Sequence, residues 1–107
     1  KFTMLQYANV IPSGGDKVYG ALWAINRETL YRLDITEGYP ELYDRKTVPI
    51  IFQGKRLEAE IYTMTPSTRD WLANSIPTKH YVKKVYRGYT NAGIPLQQLV
   101  KALEGVK

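Results

Sequence analysis

The chain has 107 residues, 44% of them apolar, with 15 Lys or Arg against 10 Asp or Glu and a net charge of +5. That is enough chain for one hydrophobic core and too little for two. With no cysteine and a single histidine, His80, disulfides, thiol nucleophiles, thiolate metal sites and multi-histidine metal sites are excluded within one chain, so acid–base chemistry falls to carboxylates, tyrosines and lysines.

The opening "KFTMLQYANVI" is rich in β-formers and reads as strand. It begins at Lys1, already inside that pattern, so a processed chain or a piece of a longer one is expected. "PSGGD" (Pro12–Asp16) is a turn cluster. In "KVYGALWAI" both alternating sets, Tyr19/Ala21/Trp23/Ile25 and Val18/Gly20/Leu22/Ala24, are mostly apolar. That pattern predicts a central strand buried on both faces. Asn26 can cap the helix that follows, with Glu28 in its first turn, Gly38 as a left-handed stop and Pro40 preventing continuation. Along it Leu30, Leu33 and Glu37 fall at i, i+3 and i+7, on one face.

"YDRKTVPIIF" (Tyr43–Phe52) is a strand in which Pro49 argues for an edge or a bulge. "QGK" turns the chain and "RLEAEIYTM" returns it, with Leu57, Ala59 and Ile61 on one side and Glu58, Glu60, Tyr62 and Met64 on the other. From Pro66 the pattern is helical. "PSTRDWLANS" predicts a short helix with Ser67 near its cap. Thr78 can cap "KHYVKKVYRGYTNA", where Val82, Val85, Tyr86 and Tyr89 form a stripe and Gly93 stops it. Pro95 opens "PLQQLVKALE", with Leu96, Leu99, Val100 and Leu103 inward. The order β, β, α, β, β and then helices defines an α+β domain over residues 1–107, with a mixed or antiparallel sheet that can close into a barrel.

Glu37 is the anomaly. An acid at a helix C-terminus faces the negative end of the macrodipole, and burial with the leucines acts in the same direction. Both raise its proton affinity, which suits a carboxyl that takes up and returns a proton near neutral pH. Periodicity leaves a second reading open, a partly exposed glutamate at a helix end. Other candidates read more plainly. "SGGD" lacks the ending of a phosphate loop and precedes a strand. Ser13, Ser67 and Ser75 lie in no nucleophile-elbow sequence. Lys79, Lys83 and Arg87 form a basic helical stripe beside Tyr81 and Tyr86. A nucleic-acid module can be built that way, but a solvated helix face explains the stripe more simply. His80, Glu58 and Glu60 read as surface, and Trp23 and Trp71 as core. No apolar run approaches the roughly 20 residues of a membrane span, and no signal-peptide pattern is read at the start. A soluble, cytoplasmic chain without a membrane partner is expected.

The stretch "GDKVYGALWAINRETLYRLDITEG" resembles the γ-glutamylcyclotransferase-like family, whose members show G-D-x-V-x-G-x-[VL]-[WY] followed by L-D-x-x-E-G. The likeness continues through "YDRKTVPI", "AEIYTM" and "PTKHYVKKVYRGYTNAGIPLQQLVKALE". It covers nearly the whole chain, and the block ending in E-G is its most specific part. The resemblance implies a small mixed β-barrel with flanking helices, and cyclisation of a γ-glutamyl group to 5-oxoproline without metal or cofactor. Its general base and acid falls on Glu37. Its pocket tyrosines fall on Tyr62 and Tyr81, and Tyr43 lines the same cavity. The family's N-terminal strand and Y-G-S-x loop have no counterpart here; "VYGA" lies in the later strand. The chain thus corresponds to the family's C-terminal two-thirds, and the missing segment is an expected partner alongside a small γ-glutamyl substrate. A non-catalytic binding module on the same fold is the alternative, ahead of a nucleic-acid module.

Overall fold

The computed structural model describes residues 1–11 and 13–106. In chain order the elements are β1 (Phe2–Met4), β2 (Ala8–Val10), α1 (Arg27–Glu37), β3 (Tyr43–Phe52), β4 (Lys55–Met64), α2 (Pro66–Trp71), α3 (Lys79–Ala92) and α4 (Gln97–Glu104). The α+β composition expected from sequence is present. The described strands form two separate two-stranded antiparallel ladders, β1 with β2 and β3 with β4, and closure into a barrel is not seen in their hydrogen bonding. Two compact units result, one from residues 1–21 with the chain from Asp70 onward, the other from Leu22–Arg69. No helix among the described residues is long and apolar enough to cross a membrane.

In the first unit the opening stretch is two short strands, not one. β1 turns through Leu5–Tyr7 and pairs with β2, Phe2 opposite Val10 and Met4 opposite Ala8. Met4, Tyr89, Leu99 and Ala102 make the buried core, with Phe2, Tyr81, Val85 and Leu96 packed against it. Phe2 meets Tyr89 edge to face at 5.7 Å. Thr78 caps α3 through the Tyr81 N–H, and Gly93 ends it with φ 69°. The inward face of α3 is Tyr81, Val82, Val85 and Tyr89, while Tyr86 is exposed. α4 begins two residues after Pro95 and buries Leu99 and Ala102, which leaves Val100 outside. Ser13 to Asp16 forms the expected turn, with Gly15 at φ 82° and the Ser13 hydroxyl donating to Asp16; Pro12 lies outside the described residues.

The predicted central strand over residues 17–25 does not form: this stretch has no regular structure and is exposed throughout. Alternation of two apolar sets reports what a strand would bury between two neighbours, and the described residues supply neither neighbour. Gln98 substitutes at one point only. Its side-chain amide accepts from the Tyr19 N–H at 2.7 Å and donates to the Tyr19 carbonyl at 2.8 Å. Trp23 is accordingly 79% exposed, not core. Trp71 is 77% exposed, because the buried positions of its short helix are Thr68 and the following Leu72, at i and i+4. The cap of α2 is Thr65, one residue before the first helical proline, Pro66. Its hydroxyl accepts from the Thr68 N–H.

In the second unit Asn26 Oδ1 accepts from the Thr29 N–H at 2.8 Å to start α1. The β3–β4 hairpin runs in register from Tyr43 opposite Met64 to Phe52 opposite Lys55. A two-residue loop, Gln53 at φ 50° and Gly54 at φ 77°, closes it. Both positive angles fit the twist of flanking strands. Pro49 sits on a strand whose one described neighbour is β4, so its missing N–H costs no second ladder.

Gly38 joins helix and hairpin. It is left-handed, φ 66° and ψ 36°, and its carbonyl accepts from the Leu42 N–H at 2.8 Å. The Leu42 carbonyl in turn accepts from the Thr65 N–H at 3.1 Å, at the foot of β4. A β-carbon on Gly38 would stand 2.8 Å from Leu42 Cδ1. Gly38→Ala therefore combines a left-handed backbone with a steric conflict and should cost about 1–2 kcal/mol or more. Gly88→Ala, inside α3 with open space at its β-carbon, should instead stabilise by about 0.5–1 kcal/mol. Urea unfolding midpoints of the two variants check the opposite signs.

Candidate active site

The part-buried positions of α1 are Leu30, Leu33, Asp34 and Glu37. They are spaced i, i+3, i+4 and i+7, the stripe one helix face presents. The shared face of Leu30, Leu33 and Glu37 is as the sequence indicated. The helix closes in a Schellman arrangement: the Gly38 N–H donates to the Ile35 carbonyl at 3.1 Å and the Tyr39 N–H to the Asp34 carbonyl at 2.9 Å. The Asp34 carbonyl thus holds the main chain just beyond Glu37.

The Asp34 side chain holds the hairpin as well. Tyr62 Oη donates to Asp34 Oδ1 and Arg45 Nη1 donates to Asp34 Oδ2. The Asp34 side chain is 16% exposed and that of Arg45 25%, so solvent screens this pair less than a surface one. The register puts Arg45 opposite Tyr62, and Tyr43 opposite Met64. Alternation then places all four on one face at the hairpin base. Arg45 also lies over the Tyr39 ring, 5.1 Å from its centroid. A Schellman motif commonly joins its two ends by a hydrophobic contact. Here a charged chain does so, from Asp34 through Arg45 to Tyr39.

These contacts set the proton affinities. The Tyr62 hydrogen bond, with Arg45 beside it, holds the Asp34 carboxyl below the usual carboxylate range. Burial and then the bond to Asp34 push the Tyr62 phenol up to about 12. Glu37 moves the other way from Asp34. Burial raises its carboxyl above the ordinary value of 4.5, and the last turn of α1 carries no basic residue to oppose this. No hydrogen bond or ion pair reaches the Glu37 carboxylate among the described residues. Two acids three residues apart are therefore tuned in opposite directions. One is held toward its ionised form by its donors, the other toward its neutral form by burial.

Of the residues singled out from sequence, Glu37, Tyr43 and Tyr62 stand in this unit, on the end of α1 and the base of the hairpin. Tyr81 stands in the other unit. Its hydroxyl accepts from the Ala8 N–H at 3.2 Å, and its ring meets that of Tyr7 edge to face at 5.4 Å. Lys79, Lys83, Arg87, His80, Glu58 and Glu60 are exposed. Among the described residues no group of three or more His, Asp or Glu is placed to hold a metal ion. Sequence reasoning missed Asp34, Arg45 and Tyr39. One signal was present for Asp34: at Leu30 + 4, it is a second acid on the same stripe.

The chain belongs to the family described as gamma-glutamyl cyclotransferase, AIG2-like, whose model matches residues 1–83. Among individual proteins it is similar to the human gamma-glutamylcyclotransferase, 32% identical over 101 residues, which covers 91% of this chain and 51% of the human protein. A putative gamma-glutamylcyclotransferase of Methanocaldococcus jannaschii is 37% identical over 62 residues, 52% of this chain and 52% of that protein. The chain spans about half the length of the curated relatives it matches. No solved structure matches.

A raised carboxyl is also a statement about stability. In the interval between 4.5 and the raised value of Glu37, the folded chain binds more protons there than the unfolded one. Its contribution to stability is therefore present below 4.5 and lost as pH rises through the raised value. Glu37→Gln removes that loss. At pH 7 the variant should be as stable as the native chain or more so, with no gain near pH 4. Urea midpoints at the two pH values check this.

Proposed function

We propose that the chain carries the proton-shuttling part of a γ-glutamylcyclotransferase site, with Glu37 as general base and acid. The observation that carries the reading is Glu37 itself. It is a carboxyl with raised proton affinity and no ion-pair or hydrogen-bond partner among the described residues, in a chain of the cyclotransferase family. The names of its relatives support the same chemistry.

The substrate class is a γ-glutamyl amine or amino acid. Glu37 takes one proton from the substrate α-ammonium, and the freed amine attacks the γ-carbonyl carbon of the same molecule. The ring nitrogen loses its surplus proton to solvent. The bond from that carbon to the leaving nitrogen breaks as Glu37 returns a proton to it, and the released amine takes one up to leave as an ammonium. The products are 5-oxoproline and the free amine. Nucleophile and electrophile belong to one molecule, so the protein has only to fold the glutamyl chain back and manage protons. Tyr62 and Tyr43, in the same unit as Glu37, are the tyrosines assigned to the substrate pocket on this reading. On this reading polarisation of the γ-carbonyl is the task of the Y-G-S-x loop that the family resemblance implies, and the proposed setting is a soluble, cytoplasmic one.

Glu37→Gln in the full-length protein, assayed for 5-oxoproline release from γ-glutamyl-ethylamide, should lose about 10²–10⁴-fold in kcat. Its fold should be intact by circular dichroism. Undiminished release rejects Glu37 as the base. No release from the native protein favours the non-catalytic binding module on this fold.

A further inference from the structure

A tyrosine hydroxyl has one proton to give and lone pairs to receive with. Tyr62 gives its proton to Asp34. Arg45, which donates to the other oxygen of the same carboxylate, also faces the phenol. We propose that Asp34 is a positioning residue that fixes the polarity of Tyr62. With its proton committed to Asp34, the Tyr62 phenol is held in one orientation at the hairpin base. The proposal rests on the cyclotransferase reading and adds to it the residue that orients Tyr62.

Three features of the geometry carry this. Asp34 is held from two elements at once, β3 through Arg45 and β4 through Tyr62. Its main-chain carbonyl receives the Tyr39 N–H that closes the helix just beyond Glu37. One residue therefore fixes both the phenol and the backbone that carries the proposed base. Finally, the carboxylate is ionised, because the Tyr62 bond and Arg45 hold it below the usual range, so at neutral pH it can only accept. The phenol in turn stays protonated, being pushed up to about 12.

The test is a double-variant cycle in the full-length protein with γ-glutamyl-ethylamide. Asp34→Ala and Tyr62→Phe should each lower kcat/KM by roughly tenfold. The double variant should fall no more than about threefold below the weaker single, since both remove the same contact. Losses that multiply to roughly a hundredfold overturn the proposal, because Asp34 then acts through the fold alone. A tyrosine-ring carbon-13 NMR titration of the native protein needs neither turnover nor an Asp34 variant. The Tyr62 signal, assigned through Tyr62→Phe, should remain protonated at pH 11, above the ordinary phenol value of 10.0. If it has ionised by then, Asp34 does not hold the phenol and the proposal fails. A native protein that does not turn over the amide ends the cyclotransferase reading instead, and the titration still decides the clamp.

Discussion

The Asp34 carboxylate is the point on which the second unit depends. Helix α1 and the β3–β4 hairpin are both locally specified, the first by its caps and the second by its turn and alternation. Neither local code says how one meets the other. That is settled by one acid accepting from Tyr62 on β4 and Arg45 on β3, while its main-chain carbonyl takes the chain emerging from the helix. Such a contact is expensive to leave half made. Removing either donor strands a partly buried carboxylate, and removing the carboxylate strands a guanidinium. Gly38 makes the arrangement possible, since only a left-handed residue without a β-carbon turns the chain there beneath Leu42.

The same helix end shows how one fold sets two carboxyl groups to different tasks. Asp34 has two donors and is held ionised; Glu37, three residues on, has burial without a donor and is held toward its neutral form. Identical chemistry is thus divided by environment into a structural anion and a candidate proton shuttle. The arrangement carries a stability cost at neutral pH, where Glu37 must ionise against burial. Perturbed proton affinities gather at functional sites, which is what makes Glu37 the candidate.

The elements legible in the sequence were those whose code is short in range. Asn26, Gly38, Thr78 and Gly93 cap helices because each acts on backbone groups a few residues away. The β3–β4 hairpin was legible because "QG" sets its turn and alternation sets its faces. Glu37 was legible as an acid on a leucine stripe. Residues 17–25 were not, because strand pairing is decided by a neighbour, and the period-2 pattern does not say whether one is there. Trp23 and Trp71 failed for a related reason: size and apolarity give a preference for burial, not an address. The Asp34 clamp joins residues 11 and 28 positions apart, across three elements, and no spacing rule reaches that far. The family likeness pointed to Glu37 and Tyr62 and contained Asp34, in L-D-x-x-E-G, without giving it a role; its contacts with Arg45 and Tyr62 are seen only in the packed structure.

The central claim is that the end of α1 delivers a glutamate of raised proton affinity. A carbon-13 NMR titration of the side-chain carboxyl carbons, with the Glu37 signal identified by its loss in Glu37→Gln, measures that affinity directly. The account predicts a midpoint above the ordinary 4.5. A midpoint at or below that value would mean that burial does not govern Glu37, and the account would be contradicted at its base.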